Sequence, residues 1–278
     1  MRAAINDTQL FYEIVGQPSP RPPVVFMHGP GFDHTFFRPW LDPLASDRQL
    51  VFFDLRGCGR SSRSELTIEP IVETFVKDID ALRSHLKCDR IVLYGHSFSG
   101  FTALSYALKY AKHLAGLILN CTAPNFAYPA VMMSNLTARG SQEQIQQMVE
   151  VFQAQVTSDD AFRRGWELVM PLYFFRYDPM IGSRLIADTE FSVVVLNQFA
   201  AQLPSMDLVG KLREISIPTL VLSGRHDWIC PPSEGGERLH AGLPNSKLVI
   251  FESSGHFPFV EEQDAYLRTI ADWLETLA

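Results

Sequence analysis

Three residues have the types, order and local settings needed to carry an acyl group on an activated hydroxyl. Ser97 stands in Ile91-Val92-Leu93-Tyr94-Gly95-His96-Ser97-Phe98-Ser99-Gly100, between a run of β-formers and a helix-like stretch. A strand, tight turn and helix start of this kind hold a hydroxyl clear of a parallel sheet. Asp227 follows in Ser223-Gly224-Arg225-His226-Asp227, and His256 in Ser254-Gly255-His256-Phe257-Pro258, each just after an apolar strand-like run. Serine is a weak nucleophile at neutral pH, so a base must take its proton as it attacks. His256 is the candidate base, and Asp227 would fix its tautomer and stabilise the imidazolium. Asp54, Asp207 and Glu252 are rival carboxylates. Asp227 is favoured because its loop follows the strand expected next to last in the sheet.

Such chemistry also needs two amide donors for the oxyanion. The amide of Phe98, directly after the serine, is one candidate. The loop His28-Gly29-Pro30-Gly31-Phe32 supplies the other. Pro30 has no N–H, so the donor is Gly29 or Gly31. The elbow departs from the usual G-x-S-x-G, because Ser99 takes the fifth place and Gly100 comes one step later. A small residue is what the tight turn requires, and Ser is the next smallest.

The surrounding elements fit this task. Apolar runs at 24–27, 50–53, 91–94, 114–119, 219–222 and 247–251 read as strands, most of them buried on both faces. Helical spacing at 71–86, 98–110 and 261–277 alternates with them, which implies βαβ crossovers and an α/β fold with a mostly parallel sheet. Residues 9–15 read as an antiparallel edge strand. The alternation breaks near Asn125 and resumes after Pro204. An insertion of roughly 80 residues is far longer than an ordinary connection. The expected organisation is therefore a core of 1–124 and 206–278, with 125–205 a helical lid over the C-terminal sheet edge, where ligands bind.

Composition narrows the function classes. With 278 residues, 46% of them hydrophobic, the chain can bury a sizeable core. A formal charge of −7 disfavours nucleic-acid partners. No stretch approaches the eighteen or so apolar residues that span a bilayer, and no targeting segment opens the chain. Cys58, Cys88, Cys121 and Cys230 are widely spaced, as free thiols in a reducing compartment would be. The scattered Cys and His offer no metal-ligand spacing. A cytoplasmic protein without metal or cofactor is the expectation, acting on a small-molecule or short-peptide substrate.

These segments together resemble the α/β-hydrolase family of proline iminopeptidases and related esterases. The likeness rests on His28-Gly29-Pro30-Gly31, Asp54-Leu55-Arg56-Gly57-Cys58-Gly59-Arg60-Ser61, the elbow, Gly224-Arg225-His226-Asp227 and Gly255-His256-Phe257-Pro258. It implies the α/β-hydrolase fold, a Ser97–Asp227–His256 triad, and structural roles for Asp54 and Arg56. The family's loop is H-G-G-P-G, one Gly longer. Kept in register with Pro-Gly, Gly29 becomes the oxyanion donor. The family's aminopeptidases bind a free amine with carboxylates, and here the corresponding residues are Trp228 and Gln198. A neutral pocket does not offset the desolvation of an ammonium group. The expected function is thus a serine hydrolase acting on an ester or amide of a small apolar substrate, with Phe32, Trp228, Gln198 and Phe257 binding it. Prolyl aminopeptidase is the alternative; a lactonase or an inactive binding relative are further ones.

Overall fold

The computed structural model describes residues 1–63 and 70–277. Within them, eight strands form one sheet: β1 (Arg2–Ile5), β2 (Thr8–Val15), β3 (Val24–Met27), β4 (Leu50–Phe53), β5 (Ile91–His96), β6 (Leu114–Asn120), β7 (Thr219–Gly224) and β8 (Ser246–Phe251). Their spatial order is β1-β2-β4-β3-β5-β6-β7-β8. β1 and β2 run antiparallel to their neighbours, and all other pairs are parallel. Every residue of β3, β5, β6 and β7 is buried. That is why these strands read as unbroken apolar runs, for helices cover both faces.

β2 is not the edge. A two-residue turn joins Ile5 to Thr8, and β1 pairs outside β2. Asn6 takes φ 50° in that turn, a conformation its short polar side chain tolerates. Only two positions of β1 face inward, Ala3 and Ile5, so its apolar pattern is too short to be read from the sequence.

α1 (Ile71–His85) and α2 (Phe98–Tyr110) pack on the sheet and on each other. Between β6 and β7 the chain leaves the sheet and builds α3 (Pro129–Arg139), α4 (Gln142–Phe152), α5 (Asp159–Val169), α6 (Pro179–Ile186) and α7 (Val193–Gln202). Ser141 caps α4 with a reciprocal Gln144 bond, and Ser158 caps α5. α8 (Gly236–Gly242), α9 (Pro258–Glu261) and α10 (Gln263–Glu275) complete the chain. Among the described residues, no helix is long and apolar enough to cross a membrane.

Candidate active site

The C-terminal ends of β3, β5, β7 and β8 deliver Gly29, Ser97, Asp227 and His256 to one edge of the sheet. Ser97 sits at the elbow with φ 56° and ψ −130°, a strained backbone for a residue with a side chain. The turn closes because glycines let the strand touch the helix. A Cβ on Gly95 would lie 2.8 Å from Gly100 Cα, and one on Gly100 would lie 2.4 Å from the Thr122 side chain. The glycine that the turn needs is therefore Gly100. Ser99 is fully buried, and its hydroxyl donates to the His28 carbonyl, tying the elbow to the loop after β3.

His256 Nδ1 lies 2.7 Å from Asp227 Oδ2, and both side chains are almost wholly buried. The other Asp227 oxygen accepts from the amides of Ile229 and Cys230 at 3.1 and 3.0 Å. The His256 loop is held from two sides. Its amide donates to the Tyr173 carbonyl at 2.7 Å. Glu261 accepts from the amides of Gly255, Phe175 and Arg176. Burial nonetheless pushes the Glu261 carboxyl above its ordinary range.

Ser97 and His256 line one cavity of about 60 Å³. Gly29, Phe32, Phe98 and Phe257 line it too. Gly31 does not. It takes φ +90° with Phe162 packed where a Cβ would stand, and its carbonyl accepts from Ser192. Trp228 and Gln198 are corrections, because neither lines the cavity. The turn that lets Asp227 accept from the Ile229 and Cys230 amides sets the Trp228 ring in a T-shaped contact with Tyr173, 5.5 Å between centroids. Gln198 lies half-buried on α7, on a turn whose cavity-facing residue is Leu196.

Residues unsigned by any motif complete the walls: Met148, Val151, Phe162, Tyr173, Leu196 and Ile229. Most come from the insertion, whose spacing relative to Ser97 carries no information along the chain. His96 also faces the cavity, 4.7 Å from the His256 ring and 2.9 Å from Asn120 Nδ2. Burial, then the neighbouring His256, pushes its pKa well below the usual histidine value.

The rival carboxylates are engaged elsewhere. Glu252 pairs with Arg225 at the surface, and Asp207 accepts from the Val209 amide. Asp54 accepts from the His34 amide, His34 Nδ1 and the Arg60 amide at 2.9, 2.7 and 2.8 Å. Arg56 pairs with Asp78 through two bonds of 2.8 and 2.9 Å. Ser61 Oγ bridges the Asp54 carbonyl and the Phe11 amide. These contacts give the D-x-R-G-x-G-x-S segment a structural part in bracing the loop after β4.

Among the described residues, two triplets bring possible metal ligands within 4.8 Å: Cys121–Asp227–His256 and Asp33–His34–Asp54. Neither is an open donor set. Burial pushes the Cys121 thiol far up, so it keeps its proton. The carboxylates of both triplets already accept amide or imidazole hydrogens.

Comparison with known proteins shows the family and the fold. The alpha/beta hydrolase fold family aligns with residues 22–263, and the chain belongs to that family. A proline iminopeptidase of Pestalotiopsis fici, PfmaB, is 31% identical over 281 residues, covering 98% of each chain. The proline iminopeptidase of Clostridioides difficile is 30% identical, over 95% of this chain and 94% of its own. Among solved structures, the enol-lactonase of Burkholderia xenovorans LB400 shares the fold with a TM-score of 0.79 at 23% identity, over 99% of this chain and 100% of that one. The protein is thus a hydrolase of the α/β-hydrolase fold, similar to proline iminopeptidases.

Proposed function

We propose that the protein is a serine hydrolase that cleaves a carboxylic ester or amide of a small apolar substrate through an acyl-enzyme. Ser97 Oγ attacks the carbonyl carbon while His256 takes its proton, held in the required tautomer by Asp227. The amides of Gly29 and Phe98 stabilise the oxyanion. His256 then passes the proton to the departing alcohol or amine, which leaves the acyl group on Ser97. Water, deprotonated by His256, releases the acid and restores the serine. The segment 125–205 serves as a lid. A cavity of about 60 Å³ lies well below the roughly 300 Å³ at which ordinary ligand sites begin, so the lid or its side chains move before a substrate enters. The free thiols suit a reducing, cytoplasmic setting.

One observation carries the choice of substrate: the residues lining the cavity include no carboxylate. Ring faces and alkyl groups surround the reacting serine, and an ammonium group desolvated there would lack a counter-charge. The proline iminopeptidase relatives support the second reading, a prolyl aminopeptidase. Turnover of p-nitrophenyl butyrate against proline p-nitroanilide separates the two. The ester is expected to win by at least tenfold in kcat/KM, and a clear preference for the free-amine substrate overturns the ranking. Ser97→Ala should lose several powers of ten with either compound. Retained turnover in that variant refutes the mechanism.

A further inference from the structure

A second concavity lies beside the first and is much larger. It is an open groove of about 450 Å³, walled by Phe126, Met132, Met133, Phe152, Ala200 and Leu203, with Gln153 and Asp207 as its polar residues. The Asp207 carboxylate is already engaged by the Val209 amide at 2.9 Å. An apolar concavity of this size open to solvent marks a binding site for apolar material. Its three methionines, Met132, Met133 and Met206, add a lining that adapts to a flexible guest.

The groove and the cavity at Ser97 share their walls. α4 gives Met148 and Val151 to the cavity and Val149 and Phe152 to the groove. α7 gives Leu196 to one and Ala200 to the other. Between them stand aromatic rings. Phe98, which lines the cavity, meets Phe126 of the groove edge-on, 5.1 Å between centroids, and stacks on Phe199 at 5.5 Å. Ring contacts of this kind involve no hydrogen bond, so no polar interaction has to break for Phe98 and Phe126 to separate. The smaller cavity, about 60 Å³, lies far below the roughly 300 Å³ of an ordinary ligand site. A reacting carbonyl fits there, and whatever is attached to it must extend elsewhere.

We infer that the groove binds the acyl chain of the substrate, an uncharged alkyl tail of medium length that passes between Phe98 and Phe126. The inference rests on Ser97 as nucleophile and deepens that reading. Stereochemistry assigns the tail to the acyl side. The leaving group must face His256, which protonates it, and no groove residue comes from the Asp227 or His256 loops. The substituent directed toward Phe98 is therefore the one that stays on the serine.

The test is the chain-length profile of kcat/KM for p-nitrophenyl acetate, butyrate and octanoate with the wild-type enzyme, Met133→Trp and Phe126→Ala. Wild type should favour octanoate over acetate. Met133→Trp, which fills the groove, should lower the octanoate-to-acetate ratio by about tenfold, equivalent to losing the burial of a few methylenes. Phe126→Ala, which thins the partition, should raise it. Octanoate should inhibit wild type competitively and far better than acetate, a readout that stands even where Met133→Trp fails to fold. Three results overturn the inference: a ratio that neither variant shifts, equal inhibition by the two acids, or a Met133→Trp effect confined to the alcohol chain of octyl acetate. Ester turnover that survives Ser97→Ala instead refutes the nucleophile, so the two failures are separable.

Discussion

Two buried carboxylate–imidazole pairs in this molecule share one geometry. Asp227–His256 and Asp54–His34 both close at 2.7 Å, and all four side chains are nearly inaccessible. They differ in what the imidazole meets on its far side. His256 faces a cavity together with Ser97. His34 Nε2 instead lies 3.7 Å from Glu13, so carboxylates flank both ring nitrogens and favour its protonated form. The second pair is a clamp between the loop after β3 and the end of β4. Gly59 fits against it only because it lacks a Cβ, which would lie 2.5 Å from Asp54 Oδ2. The lesson is that an Asp–His bond is not itself a catalytic device; a nucleophile and a space for the substrate make it one.

The largest expected effect breaks the pairs apart by replacement with asparagine. Asp227→Asn keeps an oxygen for the Ile229 and Cys230 amides but presents an NH₂ to His256, which selects the wrong tautomer. Steady-state kinetics should show kcat down by about 10⁴-fold with the fold intact. Asp54→Asn should do the reverse. It uncouples a buried charge pair and should cost on the order of 3–5 kcal/mol in urea unfolding, while the folded fraction keeps kcat within about tenfold, far from the loss a triad residue causes. A collapse of kcat in folded Asp54→Asn would erase the distinction.

A smaller effect separates the buried histidines by pH. Burial opposes a charge on His34, but the bond and charge of Asp54, with Asp33 and Glu13, raise its pKa above 6.5. Its contribution to stability is complete below 6.5 and is lost as pH rises through the raised value. His96 is the opposite case, since its pKa is depressed. Its contribution is complete above 6.5 and is lost as pH falls toward the depressed value. Unfolding of His96→Gln followed below pH 6.5 should therefore lose stability more slowly than wild type, by up to about 1.4 kcal/mol per pH unit. An unchanged slope would mean that His96 takes up its proton without cost.

The smallest effect concerns Glu252, which precedes the His256 loop but pairs with exposed Arg225. Glu252→Gln should leave both kcat and the melting temperature unchanged, as exposed ion pairs contribute little. A marked fall in kcat would make Glu252 a second partner of His256.

The sequence determined by itself whatever depends on neighbours along the chain. The elbow, the loops after strands that carry Ser97, Asp227 and His256, and the order of the parallel strands' apolar runs were legible, because local backbone and burial on both sheet faces impose those patterns. The structural role of Asp54 and Arg56 came from the family resemblance. Tertiary structure alone decided the rest. Trp228 and Gln198 sit at positions that sequence comparison points to, yet Ile229 and Leu196 reach the cavity in their place. The bond from Ser99 to His28 and the ring partition at Phe98 and Phe126 join segments far apart in the chain. The physical reason is that periodicity specifies which face of a helix is apolar, whereas which apolar atoms border a void depends on how α4, α5 and α7 pack together over the sheet.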